Sequence, residues 1–426
     1  MKNKVNIGLI GAGTVGCGVY EVIRRNRKLI REQTGASLSI TRIADIAPSR
    51  KRPVKIPRSL FTTDFREITG DPEIDIVIEL IGGTTVAAEV ALAAVKNGKH
   101  VVTANKALLA HRGKEIFSAA AKNGVHVGFE ASVAGGIPLI RSLKEGLCAN
   151  KILSVQGIMN GTSNYILHRM SAEGMPFAAA LADAKKEGYA EADPSFDING
   201  TDSAHKLLIL IALAWGGLFK ISEIAVEGIS PVTPADISHA GQFGYAIKPL
   251  ASAKVSGGVV EAGVYPALVG AGSQLAAVDG AFNAVRIEGD AVGPVMFYGM
   301  GAGMMPTASA VVSDVVMIAR GGGGVAKIAA DGGGVKPAPR GSVSSGFYAR
   351  FEAEDTPGTL GKISTALGKR GISIRSVIQK PGASSKKVPV VIMTRPSPES
   401  AMKKAVAEIE RHITKTSAVV LRIAED

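Results

Sequence analysis

Residues 5–16 read Val-Asn-Ile-Gly-Leu-Ile-Gly-Ala-Gly-Thr-Val-Gly and decide the fold of the N-terminal third. The apolar run Val5–Ile10 predicts a buried strand that ends directly at a glycine-rich turn. From Val15 to Ile23 apolar residues recur at helical spacing. Strand, glycine turn and helix follow in the order that a dinucleotide-binding G-x-G-x-x-G pattern requires.

The three glycines of this pattern have separate predicted roles. Gly11 permits the tight turn, Gly13 lets the backbone approach a pyrophosphate, and Gly16 lets the helix lie close to the strand. Amide groups at the start of the helix would face the phosphates. We therefore predict a cofactor site that comprises Gly11, Gly13, Thr14, Val15 and Gly16.

The end of the second predicted strand, Leu38–Ala44, bears on the choice of cofactor. Asp45 follows it, and an acidic residue there accepts a hydrogen bond from a ribose 2′-hydroxyl, which favours NAD. Arg50, Lys51 and Arg52 follow closely and could hold the 2′-phosphate of NADP instead. The sequence leaves both cofactors open.

Further strands are predicted over residues 75–81, 100–103 and 125–129, with a helix over 87–97. Strands that alternate with helices indicate a parallel, doubly wound sheet of the Rossmann type. Ligands of such sheets bind outside the carboxyl ends of the strands. The residues predicted to lie at those ends are Thr84, Thr103, Asn105, Lys106 and Glu130.

The glycine-rich turn at residues 130–138 can direct several carbonyl oxygens and the Glu130 carboxylate towards one point. Hard cations are bound by oxygen ligands of this kind. From the spacing alone, a plain turn is an equally good interpretation.

The segment 184–206 reads AKKEGYAEADPSFDINGTDSAHK and concentrates ionisable residues in front of the apolar run 207–211. Burying charges alone is costly, so these groups must be paired or used in chemistry. Asp202 and Lys206 are four residues apart on one predicted helix face, where an ordinary salt bridge is the simplest alternative. His205 points about 100° away from Lys206, and we interpret it as a packing residue.

Hydride transfer from an alcohol requires a group that takes up the hydroxyl proton and returns it in the reverse reaction. A lysine can do both when burial or a second cation lowers its pKa. Lys106 and Lys206 are the candidates, and carboxylates such as Glu191 and Asp202 could hold a substrate ammonium group. Two lysines among several acids suit a small zwitterionic substrate.

The rest of the chain predicts a second and a third domain. Strands at 152–159, 259–265 and 284–288 indicate a mixed sheet, and a helix over 307–319 leads back to the first domain. Glycine and proline residues mark a connection over 321–345. Beyond it, the predicted order β-α-β-β-α-β is that of a ferredoxin-like unit.

Composition limits the classes of function. The 426 residues carry a net charge of +12, but aromatic residues are not interleaved with the basic clusters, and no nucleic-acid motif is visible. We therefore predict solvated basic surfaces and no nucleic-acid partner. Two cysteines, no long apolar run and an N-terminus that enters a strand directly predict a cytoplasmic protein without a membrane span.

Residues 184–206 resemble the homoserine dehydrogenase signature along its whole length. Several other segments, which span about residues 4–320 together, are similar to that family: 11–16, 103–106, 160–164, 281–285, 299–303 and 306–310. The resemblance implies the interconversion of L-homoserine and L-aspartate 4-semialdehyde with NAD or NADP. It implies a substrate domain that also forms the interface of a homodimer or homotetramer.

The resemblance also implies roles for single residues. Lys206 would be the proton donor and acceptor, and Lys106 would assist at the reacting oxygen. Substrate binding is expected at Glu191, Asp202, Asp197, Gly188, Asn160 and Thr162. The expected cofactor residues include Asp45, Arg50, Thr84, Thr103, Lys106 and Gly303. Of these, Gly303 matches a loop that returns to the cofactor. A monovalent cation, usually sodium, would be bound mostly by carbonyls at Glu130, Val133, Gly135 and Ile137.

The C-terminal unit resembles an ACT domain through the D-x-P-G-x-L turn at 355–360 and residues 371–374. Such domains commonly pair through their sheets and bind amino acids at the seam, and the implied effector is L-threonine. A dimerisation module without a ligand is the alternative. The predicted domains are residues 1–135 (completed by about 305–320), 136–304 and 346–426, with the linker 321–345.

Two further hypotheses remain open. One is a related dehydrogenase that acts on another amino-acid aldehyde, and the other is a regulatory protein that binds NAD and an amino acid without turnover. Aspartate semialdehyde dehydrogenase is disfavoured, because it needs a nucleophilic cysteine and neither Cys17 nor Cys148 lies in a suitable loop.

Overall fold

The computed structural model describes residues 3–322, 334–379 and 387–424. The chain forms two compact units, each assembled from three separate segments. The first unit contains residues 1–155, 205–220 and 283–335, and the second contains 156–204, 221–282 and 336–426. The predicted division into three domains stays a prediction, and most of the glycine run of the predicted linker lies outside the described residues.

The N-terminal part of the first unit alternates strands and helices. In chain order these are β1 (Lys4–Ile10), α1 (Thr14–Arg25), α2 (Arg27–Thr34), β2 (Ser37–Ala44), β3 (Phe61–Thr62), α3 (Arg66–Thr69), β4 (Ile76–Glu79), α4 (Thr85–Lys96), β5 (His100–Thr103), α5 (Lys106–Asn123), β6 (Val127–Gly128) and α6 (Leu139–Arg141). The six strands form one sheet in the order β3-β2-β1-β4-β5-β6, and all neighbours are parallel. The predicted doubly wound parallel sheet is confirmed.

The middle of the chain contributes elements to both units. They are β7 (Ile152–Ile158), α7 (Gly161–Glu173), α8 (Phe177–Lys186), α9 (Ser195–Ile198), α10 (Thr201–Trp215), β8 (Ala225–Val226), α11 (Pro234–Gln242), β9 (Tyr245–Ser256), β10 (Val259–Gly270), β11 (Phe282–Gly289), β12 (Gly293–Met300) and α12 (Met304–Ala319). Helix α12 shares an apolar core with α1, β1 and β2. A Cβ on Gly18 would lie 2.7 Å from the Met304 carbonyl oxygen, so this glycine allows α1 and α12 to approach closely.

The C-terminal part of the second unit has the predicted β-α-β-β-α-β order. Its elements are β13 (Lys336–Pro337), β14 (Ser344–Glu354), α13 (Thr359–Gly368), β15 (Ile374–Gln379), β16 (Lys387–Thr394), β17 (Ser397–Pro398), α14 (Glu399–Ile409) and β18 (Val419–Ile423). Four of the strands pair antiparallel in the order β18-β14-β16-β15. This arrangement confirms the ferredoxin-like unit.

This four-stranded sheet buries both of its faces within the second unit. On β14, Phe347, Phe351 and the alanines between and after them pack against α13 and α14. Tyr348 points to the other face and joins a core with residues of α7, α8 and α11. The alternation follows from the two-residue period of a strand. Strand β18 also pairs in parallel with β10, so the sheet continues into the preceding part of the unit.

Sequence reasoning did not find β9, α9 and α11. Strand β9 runs antiparallel to β10, and Pro249 lies opposite Pro266 in this pair. A proline lacks the amide donor of the ladder and argues against a strand in sequence-based prediction. The predicted strand over 125–129 is shorter than expected and covers only Val127–Gly128.

Candidate active site

The glycine turn after β1 has the geometry that binding of a pyrophosphate requires. Gly11 has φ +97°, and a Cβ on it would lie 2.7 Å from the Leu80 carbonyl oxygen. A Cβ on Gly16 would lie 2.1 Å from the Gly11 carbonyl oxygen, so only glycine lets α1 begin this close to β1. A Cβ on Gly13, by contrast, would meet no atom within 4 Å. The open side of the turn, at the start of α1, fits a dinucleotide phosphate.

Asp45 follows β2 directly and reaches this turn. Its Oδ2 accepts a hydrogen bond of 2.9 Å from the Ala12 amide, and its Oδ1 accepts one of 2.8 Å from the Ala47 amide. Burial opposes ionisation, but these bonds and the Arg52 guanidinium keep the pKa of Asp45 below its ordinary value. The bonds of Asp45 therefore favour its charged form beside the glycine turn.

Glu79 is the last residue of β4 and accepts hydrogen bonds from groups at the carboxyl ends of β4 and β5. Sequence reasoning missed this residue. Its carboxylate is fully buried and accepts bonds of 2.7 Å from the Thr103 hydroxyl and 2.9 Å from the Ile81 amide. Burial raises the pKa of Glu79, and the bond from Thr103 works against that rise. A single acid inside an apolar strand was the signal that could have found it.

Thr103 connects this acid to the start of α5. Its hydroxyl oxygen accepts a bond of 3.0 Å from the Asn105 amide. The Asn105 side chain caps α5 by accepting from the Leu108 amide and also donates to the Gly83 carbonyl. Lys106 is the first residue of the helix capped in this way, and it is half-buried. Thr84 precedes α4 at the same edge of the sheet.

The turn after β6 places the Glu130 carboxylate at the start of α6. The Glu130 carboxylate accepts hydrogen bonds of 2.7 and 2.9 Å from the Ile140 and Arg141 amides at the start of α6. The carboxylate therefore binds amides at the start of a helix, which need acceptors, and its part in a cation site stays a prediction. Burial raises the pKa of Glu130, and these amide bonds oppose the rise.

The backbone of the same turn is tightly constrained. Ala134 and Gly135 both have positive φ, at 57° and 55°. A Cβ on Gly135 would lie 2.3 Å from the Gly301 carbonyl oxygen, and the Gly136 amide donates to the Met300 carbonyl. Gly303 begins α12 at φ 119°. Among the described residues no group of three or more His, Cys, Asp or Glu could hold a metal ion.

Asp314, a buried acid on α12, bonds to the backbone of the same turn. Sequence reasoning missed this residue as well. Asp314 Oδ2 accepts a bond of 2.8 Å from the Glu130 amide, and its side chain fits against Gly128, where a Cβ would lie 2.7 Å from the Asp314 Cβ. Burial raises the pKa of Asp314 to about 7.

In the second unit, Asn160 forms hydrogen bonds to two of the predicted substrate residues, Asp197 and Asp202. Asn160 Nδ2 donates hydrogen bonds of 2.7 Å to Asp197 and 2.9 Å to Asp202. Its Oδ1 accepts from the Ser163 amide and caps α7. Asn160 and Asp202 are buried, at 4% exposure each. Two carboxylates held on one amide group can attract an ammonium group.

The other predicted substrate residues lie around this cluster or apart from it. The Thr162 hydroxyl donates a bond of 2.6 Å to the Tyr189 carbonyl, next to Gly188 in the chain. Glu191 is exposed. Asp193 forms local bonds to the amide and the hydroxyl of Ser195.

Helix α10 carries both Asp202 and Lys206. Residues up to Ala204 group with the second unit, and those from His205 group with the first. Lys206 is 9% exposed. The His205 ring packs edge-on to His111 of α5, with the centroids 5.2 Å apart, as its predicted packing role requires.

The parallel sheet, its glycine turn and the acidic residue after β2 are typical of a dinucleotide-binding domain. Family models agree with this class and sharpen it. A homoserine dehydrogenase NAD-binding domain matches residues 11–130, a homoserine dehydrogenase catalytic domain matches 138–316, and an ACT domain matches 347–411.

Known proteins lead to the same family. A homoserine dehydrogenase of Neisseria gonorrhoeae is 44% identical over 95% of both chains. The crystal structure of a homoserine dehydrogenase from Thiobacillus denitrificans has a TM-score of 0.91 at 41% identity and covers 99% of this chain and 98% of that one. A hyperthermophilic archaeal homoserine dehydrogenase in complex with NADPH has a TM-score of 0.62 at 26% identity and covers 74% and 97%.

The chain therefore belongs to the homoserine dehydrogenase family. It is an oxidoreductase with an NAD(P)-binding domain and a C-terminal ACT domain, and its substrates are L-homoserine and L-aspartate 4-semialdehyde. No helix within the described ranges combines the length and the apolar composition that a membrane span requires.

Proposed function

We propose that Lys206 carries the proton in the interconversion of L-homoserine and L-aspartate 4-semialdehyde, and that Lys106 assists at the reacting oxygen. A bound nicotinamide would supply the hydride acceptor for the hydroxymethyl C–H bond of homoserine. The hydroxyl proton passes to the Lys206 amine as the C=O bond forms. The reverse reaction returns this proton to the forming alkoxide.

The observation that carries this proposal is the cluster of Asp197 and Asp202 on the Asn160 amide. It supplies negative charge where the family signature places substrate residues, and Lys206 follows Asp202 by four residues on α10. We propose that the α-ammonium group of the substrate binds to these carboxylates. Gly188, Thr162 and Glu191 remain proposed substrate residues.

We further propose that a monovalent cation, usually sodium in this family, binds to the carbonyl oxygens of Glu130, Val133, Gly135 and Ile137. Support comes from the positive φ of Ala134 and Gly135, since consecutive left-handed residues turn successive carbonyls in unusual directions. The cation would stabilise the turn between the nucleotide sheet and α6. Loss of activity in sodium-free buffer, with recovery on adding sodium, would test this role.

We also propose a cytoplasmic homodimer or homotetramer in threonine, methionine and isoleucine biosynthesis, with L-threonine as the feedback effector of the ACT domain. The presence of an ACT domain supports an amino-acid effector. Rates measured with and without L-threonine, together with the mass of the assembly in solution, test these statements.

Lys206→Ala tests the proposed chemistry. We expect turnover of L-homoserine to fall on the order of a hundredfold or more, as for loss of a general acid–base group. Lys186→Ala is the matched control, because Lys186 is exposed at the end of α8. Formation of NADH or NADPH gives the rate, and unchanged turnover in Lys206→Ala would refute the role of this lysine.

The same assay separates the remaining alternatives. A protein that only binds NAD and an amino acid would show no turnover before any substitution. A dehydrogenase of another amino-acid aldehyde would prefer that aldehyde to L-aspartate 4-semialdehyde.

A further inference from the structure

Arg52 has a buried side chain near the nucleotide edge of the first unit, and each of its guanidinium nitrogens donates a hydrogen bond. Only 6% of its side chain is exposed, although the residues on both sides of it are exposed. A guanidinium group has five N–H donors and no acceptor. Four hydrogen bonds lead from it to backbone carbonyls: Nε donates to Ala12 O (3.1 Å), Nη1 to Pro48 O (2.8 Å) and Arg50 O (3.0 Å), and Nη2 to Ala47 O (2.9 Å). Nη2 also lies 3.2 Å from Asp45 Oδ2 in a salt bridge.

These bonds connect two walls of the nucleotide site. Ala12 lies between Gly11 and Gly13 in the turn after β1, while Asp45 and Ala47 belong to the loop after β2. Arg52 bonds to both segments, and its guanidinium lies 4.6 Å from the centre of the Phe61 ring. The side chain is therefore fixed by hydrogen bonds and by a cation–π contact.

This arrangement changes the interpretation of the basic cluster at residues 50–52. The sequence offered all three cations as ligands for a 2′-phosphate. Because each guanidinium nitrogen of Arg52 already donates to a backbone carbonyl, a phosphate would have to compete with these bonds. Arg50 and Lys51 are exposed and are the cations of this cluster that remain available for a direct contact.

The pairing of Arg52 with Asp45 has a different consequence. Asp45 stands where the ribose 2′-position is bound in this fold. A bare carboxylate there would repel a 2′-phosphate, whereas a carboxylate that is paired with a buried guanidinium carries a compensated charge. The remaining lone pairs of Asp45 can still accept a hydrogen bond from a 2′-hydroxyl.

We propose that Arg52 is a positioning residue that sets the cofactor tolerance of the enzyme: by neutralising Asp45 it admits the 2′-phosphate of NADP at a site that also accepts NAD. The inference concerns dinucleotide binding, which the family membership establishes, and it does not depend on the proposed roles of Lys106 and Lys206.

A double-mutant cycle on the full chain tests the proposal, with dissociation constants of NAD⁺ and NADP⁺ measured by calorimetry. Arg52→Gln should weaken NADP⁺ on the order of tenfold more than NAD⁺, because Asp45 is then uncompensated. Asp45→Asn should shift the preference towards NADP⁺. In the double variant Arg52→Gln/Asp45→Asn, the preference should return close to that of the original protein, since both charges of the pair are then removed.

Each alternative has its own signature. If Arg52 only holds the loop, Arg52→Gln weakens both cofactors equally and the preference does not move. If Arg52 binds the phosphate directly, the double variant loses NADP⁺ as strongly as Arg52→Gln does. Either outcome overturns the proposal. Asp45→Asn removes one charge with little change of shape, so an unchanged preference in that variant also overturns it, even if Arg52→Gln fails to fold. Arg112→Gln, on the exposed face of α5, is the control.

Discussion

The nucleotide edge of the first unit and the acidic cluster of the second unit are built in opposite ways. The first consists mainly of backbone: glycines, amides and carbonyls that are close in sequence and lie at the end of a parallel sheet. The second consists of side chains, and Asn160 is 37 and 42 residues from the two carboxylates that it joins. A backbone site can be recognised from a short pattern, while a side-chain site depends on how distant segments pack.

A large loss of stability is expected for a change in the backbone site. Gly16→Ala places a Cβ 2.1 Å from the Gly11 carbonyl oxygen, so either the turn or α1 must move. We expect the free energy of unfolding to fall by about 3 kcal/mol, the upper part of the range for overpacking. Urea unfolding measures this loss.

Gly13→Ala is the matched comparison for that variant. Its Cβ meets no atom within 4 Å, so the stability should stay within about 0.5 kcal/mol of the original. Dinucleotide affinity should nevertheless fall, because the new methyl group occupies the side from which the pyrophosphate approaches. Equal stability losses in the two variants would contradict the separate roles of these glycines.

A second prediction concerns a side-chain network in the second unit, away from the acidic cluster. Asp236 on α11 is fully buried and accepts bonds from Arg350 Nε (2.7 Å) and the Tyr348 hydroxyl (2.8 Å) on β14. Asp236→Asn leaves the Arg350 charge poorly compensated, and we expect a loss of about 3 kcal/mol at neutral pH. Thermal or urea unfolding of both proteins measures the difference.

The pH dependence of that loss gives a sharper test. Burial opposes ionisation of Asp236, yet the bonds from Arg350 and Thr233 hold its pKa below the ordinary value. A lowered pKa adds stability above the unfolded pKa, near 4, and this stability disappears as the pH falls through the folded value. The difference in free energy of unfolding between the original protein and Asp236→Asn should therefore be largest above about pH 5 and should decrease below about pH 4. A gap that stays constant with pH would contradict this explanation.

The smallest effect is expected in the acidic cluster. Asp202→Asn removes one of the two charges on the Asn160 amide, and we expect KM for L-homoserine to rise on the order of tenfold, the energy of one charged hydrogen bond. Asp193→Asn is the control, because Asp193 is exposed and bonds locally to Ser195, outside the cluster. Steady-state kinetics at varied homoserine concentration provide the measurement, and equal KM values in both variants would argue against a substrate role for Asp202.

Prediction from the sequence was accurate where short-range patterns suffice. Strand β5 has the predicted bounds, and β1, β2 and the ferredoxin-like elements differ from prediction by a few residues at their ends. The missed strand β9 contains Pro249, and a proline argues against a strand in prediction from propensities. In the structure Pro249 nevertheless lies in the antiparallel pair, opposite Pro266 of β10.

The site was less completely predictable, for a related reason. The predicted Glu130 lies in the expected turn, but its carboxylate accepts hydrogen bonds from the amides of Ile140 and Arg141, ten and eleven residues further along the chain. Glu79 and Asp314 were missed because their partners, Thr103 and the Glu130 amide, come from other elements. No local pattern reveals which of several carboxylates meets a distant donor.

The sequence by itself determined the alternating strands and helices of the nucleotide domain, the glycine turn, the family and the residue types available for catalysis, because these depend on local periodicity and short motifs. Only the tertiary structure decided which charges are already paired. It joined Asp197 and Asp202 through Asn160, and it directed the guanidinium of Arg52 to four backbone carbonyls and to Asp45. A hydrogen bond depends on the positions of two groups in space, and packing brings together groups that the chain separates.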